Sequence, residues 1–149
     1  MILIKTSAHL RSILIASAPF TALMDRAVIR VYSSDMPEHP ENAAGEEPMA
    51  FITTDGGLYA PDANGLLFAS DGLGGAINTA AWKMTCVRTG APKWLRLSTR
   101  FAVGNDNLES AFSDRVDLSA GVIGIGAAIL PAGSVTPVAR LQLSLLEHV

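Results

Sequence analysis

A mainly β fold, a β-sandwich or jelly-roll-like domain with a short N-terminal helix, is what this sequence predicts. Short apolar segments with period-two alternation recur after residue 26. Turn signals rich in Gly, Pro, Asn and Asp separate them at roughly ten-residue intervals, a spacing that favours a sandwich or jelly roll over an α/β fold. Two Trp-bearing alternating segments are joined by a four-residue turn, the strongest hairpin signal in the chain. Residues 1–26 are assigned to an N-terminal arm and helix, and 27–149 to the β domain.

The elements follow in order. Met1-Ile2-Leu3-Ile4 is too apolar to sit free in water and is expected to pack on the domain or on a neighbour. Leu10, Ile13 and Leu14 form a helical stripe with Ser17 one turn on, so a helix is expected over about 8–18, capped by Ser7 and broken by Pro19. Ala27–Tyr32 alternates and predicts the first strand. The stretch 33–48 carries three prolines and four glutamates and is expected to be a solvated acidic loop. Met49–Thr54 predicts a strand closed by the turn Asp55-Gly56-Gly57, and Leu66–Ala69 another.

Ala80, Trp82, Met84 and Cys86 alternate with Ala81, Lys83, Thr85 and Val87, which predicts a strand with one buried face. Thr89-Gly90-Ala91-Pro92 is expected to turn the chain into its hairpin partner, where Trp94, Arg96 and Ser98 alternate with Leu95, Leu97 and Thr99. Residues 104–114 are polar and read as a loop. Val116–Leu118, Gly121–Ile125 and Ala127–Leu130 are short apolar pieces. Ala139, Leu141, Leu143 and Leu145 alternate with Val138, Arg140, Gln142 and Ser144 in a final strand.

Composition bounds the function. The chain has 149 residues, 49% apolar and 17% charged, with a net charge of −3. Low charge leaves two accounts: apolar surface at subunit contacts, or an apolar count inflated by alanine. The negative charge removes the electrostatic case for nucleic acid or an anionic membrane. A single cysteine, Cys86, excludes an intrachain disulfide. The run Ser12–Ala18 is too short, its charges too scattered and Pro19 too badly placed for a secretory signal. No stretch reaches the roughly 18 apolar residues of a membrane span.

The candidate chemical motifs are weak. Gly121-x-x-Gly124-x-Gly126 runs in the reverse sense to a dinucleotide fingerprint, and Gly72-x-Gly74-Gly75 has no lysine for a phosphate. His9, His39 and His148 sit in no triad arrangement, and no Gly-x-Ser-x-Gly occurs. Glu38, His39 and Glu41 match no metal spacing. Cys86 falls beside Trp82 and Met84 as a small buried hydrophobe. Asp114 and Asp117 read as turn-formers. Trp82, Trp94 and Tyr59 could line a carbohydrate groove, against a default of cross-strand packing. No catalytic residue, cofactor or metal is expected.

Several segments together resemble a group of small structural proteins of tailed-bacteriophage virions. The resembling features are the N-terminal helix, the strand Ala27–Tyr32 leading into Met36-Pro37, and the strand Gly90-Ala91-Pro92-Lys93-Trp94-Leu95-Arg96-Leu97. The closing turn Leu130-Pro131-Ala132-Gly133-Ser134-Val135, continuing to Leu145, completes them. The resemblance runs from about residue 7 to 146 and departs at 99–114, where a longer polar loop replaces a Gly-containing turn. It implies a non-enzymatic virion component, assembled in the host cytoplasm. Its partners would be the major capsid protein, other virion proteins and copies of itself, with neither nucleic acid nor membrane. A capsid cement or decoration protein is the first expectation, and a tail or baseplate component the second. A carbohydrate-binding module is the alternative from another class. The expected partner contact is the apolar arm: Ile2, Leu3, Ile4, Leu10 and Leu14.

Overall fold

A computed structural model of the chain describes residues 4–6, 21, 24–40, 42–70, 75–100, 115–123, 129–138 and 140–144. The described fold is mainly β, in two antiparallel sheets. The strands are β1 (Ile4–Thr6), β2 (Val28–Tyr32), β3 (Ala50–Thr53), β4 (Phe68–Ser70), β5 (Gly75–Asn78), β6 (Trp82–Cys86), β7 (Trp94–Ser98), β8 (Arg115–Ser119), β9 (Val135–Val138) and β10 (Gln142–Ser144). Seven of them form a sheet in the order β1-β8-β7-β2-β3-β6-β9, and three form a second in the order β10-β5-β4. Among the described residues, helix comprises the single turn α1 (Pro61–Asn64), with Pro61 pre-set for a first helical position, a 3-10 turn at Ala120–Ile123 and the helical residue Thr21. The helix expected over 8–18 lies outside the described residues.

Alternation decides which face of the large sheet is apolar. Ile29, Val31, Ile52, Met84, Leu95, Leu97, Val116 and Leu118 are fully buried. They join Phe68, Ala76 and Leu143 of the small sheet in one core. Phe68 meets Trp82 edge-on, with ring centroids 5.3 Å apart at 81°, a favoured aromatic geometry. β6 follows its expected pattern: Trp82, Met84 and Cys86 are buried while Lys83 is exposed.

The expected hairpin of β6 with β7 does not form. β6 pairs with β3 and β9, whereas β7 pairs with β2 and β8. Residues 87–93 instead cross the end of the β2–β3 pair, and the backbone there explains how. Val87 and Arg88 N–H both donate to Met49 O, at 2.8 and 3.1 Å, and Lys93 N–H donates to Tyr32 O at 2.8 Å. Seven residues easily span the three strand spacings, about 14 Å, that separate β6 from β7. The spatial order β7-β2-β3-β6 is a Greek-key arrangement, in which the strand completing the set returns beside the first.

The single closing strand is likewise two. β9 ends at Val138 in the large sheet, and β10 starts at Gln142 in the small one. Leu141 and Leu143 are nevertheless buried between exposed Arg140 and Gln142, as their alternation requires.

The described residues of segment 33–48 form a strap across the opposite, polar face of the large sheet, anchored at several points while Asp35, Glu38, His39, Asn42, Ala43, Gly45 and Glu47 stay exposed as expected of a solvated loop. Pro40 and Ala44 are buried, and Met36 packs against Tyr32, Ala44 and Trp94. Its carbonyls supply what a proline-rich chain still has to offer, acceptors without a ladder. Arg115 Nη1 donates to Pro40 O at 2.9 Å and Asn42 O at 3.1 Å. Lys5 Nζ donates to Pro37 O at 2.9 Å and Glu38 O at 3.1 Å. The Glu46 carboxylate accepts from Ser33 N–H and Ser34 N–H, at 3.2 and 3.0 Å, and tethers the strap's two ends.

Candidate protein-contact rim

One end of the large sheet gathers the loops: β2 leaves there, β3 and β7 enter, and β9 begins. At that end residues 85–90 run beside 130–135. Gly90 and Leu130 exchange two backbone hydrogen bonds, at 3.1 and 2.8 Å. Gly133 N–H donates to Cys86 O at 2.7 Å, and Cys86 N–H to Ser134 O at 2.9 Å. Ser134 N–H returns to Pro131 O at 3.1 Å, closing a four-residue turn. Gly133, its third residue, has φ +88, the left-handed value that such a turn assigns to glycine. Ala132 N–H donates to Thr89 Oγ1 at 3.0 Å. The rim is therefore a braced double strand.

Three branched apolar side chains stand out of it into solvent. Val87 is 54% exposed, Ile129 71% and Val135 56%. Val135 lies directly opposite Thr85, two residues before Val87. Single exposed aliphatic residues are ordinary; here three lie on two paired segments, a residue type that protein contacts use. β9 also forms one margin of the sheet, and Pro137 within it withholds a backbone donor, which discourages strand-to-strand aggregation there.

The polar face beneath the strap holds the charged groups. Arg96 of β7 and Asp117 of β8 are directly opposite and both 0% exposed. Arg96 Nε donates to Asp117 Oδ1 at 2.7 Å and Nη2 to Oδ2 at 3.0 Å. The guanidinium also lies 5.2 Å from the Trp94 ring centroid, and Trp94 stacks on Tyr32 at 4.4 Å and 17°. Asp117 is consequently a buried ion-pair partner, not the turn-former its sequence neighbourhood suggested. Its pairing with Arg96 gives this face a structural role, since burial of two charges is tolerated when they hydrogen-bond each other.

The turn at the other end is organised by Asn64. Its side-chain Oδ1 accepts from Ala60 N–H at 2.8 Å, and Nδ2 donates to Asp55 Oδ1, Gly57 O and Leu58 O at 3.0, 3.2 and 2.9 Å. The Gly57 N–H, then Asn64, hold the Asp55 carboxyl below its ordinary pKa. Burial raises the Tyr59 phenol, whose hydroxyl donates to Arg26 O.

Of the expected contact residues, Ile2, Leu3, Leu10 and Leu14 lie outside the described residues. Ile4 opens β1, paired opposite Leu118 of its own chain. The tryptophans of the alternative sugar-groove reading are each 1% exposed, so neither offers a ring face to a ligand. Tyr59 is half-buried. Among the described residues no three His, Cys, Asp or Glu side chains converge as a metal cluster, and no helix is long and apolar enough to cross a membrane. Cys86 is buried, its thiol 3.1 Å from Arg88 O. The sequence reading missed Val87, Ile129 and Val135 as a group. The signal was available in the Leu130–Val135 turn, which brings two aliphatic residues to the flanks of one glycine.

No family model, curated protein or solved structure matches this chain.

Proposed function

We propose that this chain is a structural virion protein of a tailed bacteriophage. Its role in that reading is capsid cement or decoration, binding across neighbouring major capsid subunits to stabilise the head. The virion context rests on the resemblance of the Ala27–Tyr32, Gly90–Leu97 and Leu130–Leu145 segments. Within that context the two sheets with a shared core read as a sandwich or jelly-roll-like body. The observation that carries the contact role is the braced rim with Val87, Ile129 and Val135 in solvent. Apolar side chains on a rigid backbone lose little entropy on docking, so burying them against a shell is favourable.

Co-sedimentation tests it. The wild-type chain is expected to pellet with assembled capsid shells, and the variant Val87→Lys/Ile129→Asp/Val135→Lys to remain in the supernatant while keeping its far-UV spectrum. Wild-type protein that ignores shells refutes the cement role. Purified tails run in parallel decide between head and tail, since binding to tails alone moves the protein to the runner-up position.

A further inference from the structure

We infer that Asn64-Gly65 is a latent self-modification site: the closed turn holds the pair unreactive, and opening of the turn admits an intramolecular deamidation that prevents it from closing again. The chain contains an Asn-Gly pair only here. Glycine carries no side chain to screen its amide nitrogen, so an asparagine that precedes it is the one most prone to cyclise. The fold nevertheless requires both residues. Asn64 is 4% exposed; its side chain accepts from Ala60 N–H at 2.8 Å and donates to Asp55 Oδ1, Gly57 O and Leu58 O at 3.0, 3.2 and 2.9 Å. At Gly65 a Cβ would lie 2.6 Å from Arg26 Cα and from Pro61 O. Replacing either residue to avoid the reaction would disturb the turn itself.

The reaction is a cyclisation. Gly65 N attacks Asn64 Cγ, and as that bond forms the Cγ–Nδ2 bond breaks. Nδ2 leaves as ammonia, taking up the proton that Gly65 N gives up. Water then opens the five-membered imide, at Cγ to leave aspartate or at the backbone carbonyl carbon to leave isoaspartate. In the closed turn neither reacting group is available. Gly65 N–H donates to Pro61 O at 3.2 Å, and Asn64 O accepts from Thr54 N–H at 3.0 Å. Bringing Cγ onto Gly65 N requires the side chain to turn, which breaks its hydrogen bonds to Ala60, Asp55, Gly57 and Leu58. The rate in the folded chain is therefore the intrinsic rate multiplied by the fraction of time the turn is open. The products account for the failure to close. Aspartate at this position sets a second carboxylate against Asp55, and Gly57 O and Leu58 O lose their donor. Isoaspartate also lengthens the main chain by one methylene. The inference concerns the isolated chain and is independent of the virion reading.

Ageing the unaltered chain in 18O-labelled water tests it. Protein is incubated in mildly alkaline buffer, either folded or held unfolded in urea, and residue 64 is read by peptide mass spectrometry. The unfolded chain is expected to take up 18O there, giving both aspartate and isoaspartate peptides. The folded chain should do so at least about tenfold more slowly. An unfolded chain that keeps Asn64 intact, or equal rates in the two states, overturns the inference. The aged, unfolded protein is then returned to native buffer beside unaged protein carried through urea in the same way, and amide hydrogen exchange is followed over residues 54–65. The deamidated fraction, resolved by its mass, is expected to lose protection at Thr54 and Ala60, whose N–H groups donate to Asn64 in the closed turn. Protection as complete as in the unaged chain would show that the turn closes over the product, and the inference would fall.

Discussion

Arg96 and Asp117 form a two-bond ion pair across β7 and β8, with neither side chain reached by solvent. Such a pair is costly to break and inexpensive to replace, because the large penalty comes from stranding one charge in a low-dielectric interior. Asp117→Ala is expected to destabilise the fold by about 3–5 kcal/mol. The double variant Arg96→Met/Asp117→Leu should lose far less, since both charges go together. Urea denaturation of Arg96→Met, Asp117→Leu and the double variant gives the coupling directly. Equal losses in single and double variants would show that packing, not charge, holds β7 against β8.

Trp82 and Trp94 are buried on opposite faces of the large sheet, one against Phe68 and one against Tyr32. Emission is expected to be blue-shifted, with acrylamide quenching several-fold weaker than for free tryptophan and unchanged by mono- or oligosaccharides. Efficient quenching in the folded chain, or a sugar-dependent shift, would restore the carbohydrate reading.

How much of this was legible in the sequence differs by element. β6 announced itself because it alternates between a buried and a less buried side, and β2 and β3 because each is a short apolar run bounded by turn residues, with all but one position buried. β1 and β5 did not: three residues, or the glycine-rich Gly75–Asn78, contain too few alternations to register. The partners of β6 and β7 were misjudged because a short turn between two alternating segments is equally compatible with a hairpin and with a Greek-key crossing. The choice depends on β2 and β3 inserting between them, a long-range fact. The anchoring of the strap was illegible for a related reason. Its composition is that of a solvated loop, yet Arg115, Lys5 and Trp94 offer donors and an aromatic floor that composition cannot reveal. Arg96 and Asp117 each stand between apolar neighbours, in Leu-Arg-Leu and Val-Asp-Leu. Opposite charges flanked in this way on two strands were the signal that the pair was buried.

Gly65 ends α1 where the backbone of Arg26 comes close. A methyl group there would lie 2.6 Å from Arg26 Cα and from Pro61 O. Those are backbone atoms, and they cannot step aside without moving the bridge between Ala27 and Leu66. Gly65→Ala is expected to cost roughly 2–3 kcal/mol by overpacking. Gly133→Ala meets no neighbour and should cost less, through its left-handed φ alone. Thermal melts of the two variants side by side check the order, and a larger loss for Gly133→Ala would contradict it.

Asp55 sets an acid-side dependence of stability. Gly57 N–H at 2.8 Å and Asn64 Nδ2 at 3.0 Å both favour its ionised form, so its pKa in the folded chain lies below the unfolded value of 3.8. The folded state then binds the proton less readily than the unfolded one. The stabilisation is fully present above that unfolded value and is lost as pH falls through the folded one. Asp55→Asn, which cannot ionise, should therefore be less stable than wild type at neutral pH, with the gap narrowing below about pH 4. Denaturant midpoints measured from pH 7 down into that range follow the gap. A difference that stays constant with pH would mean that the turn is held by Asn64 and its carbonyl partners without help from the Asp55 charge.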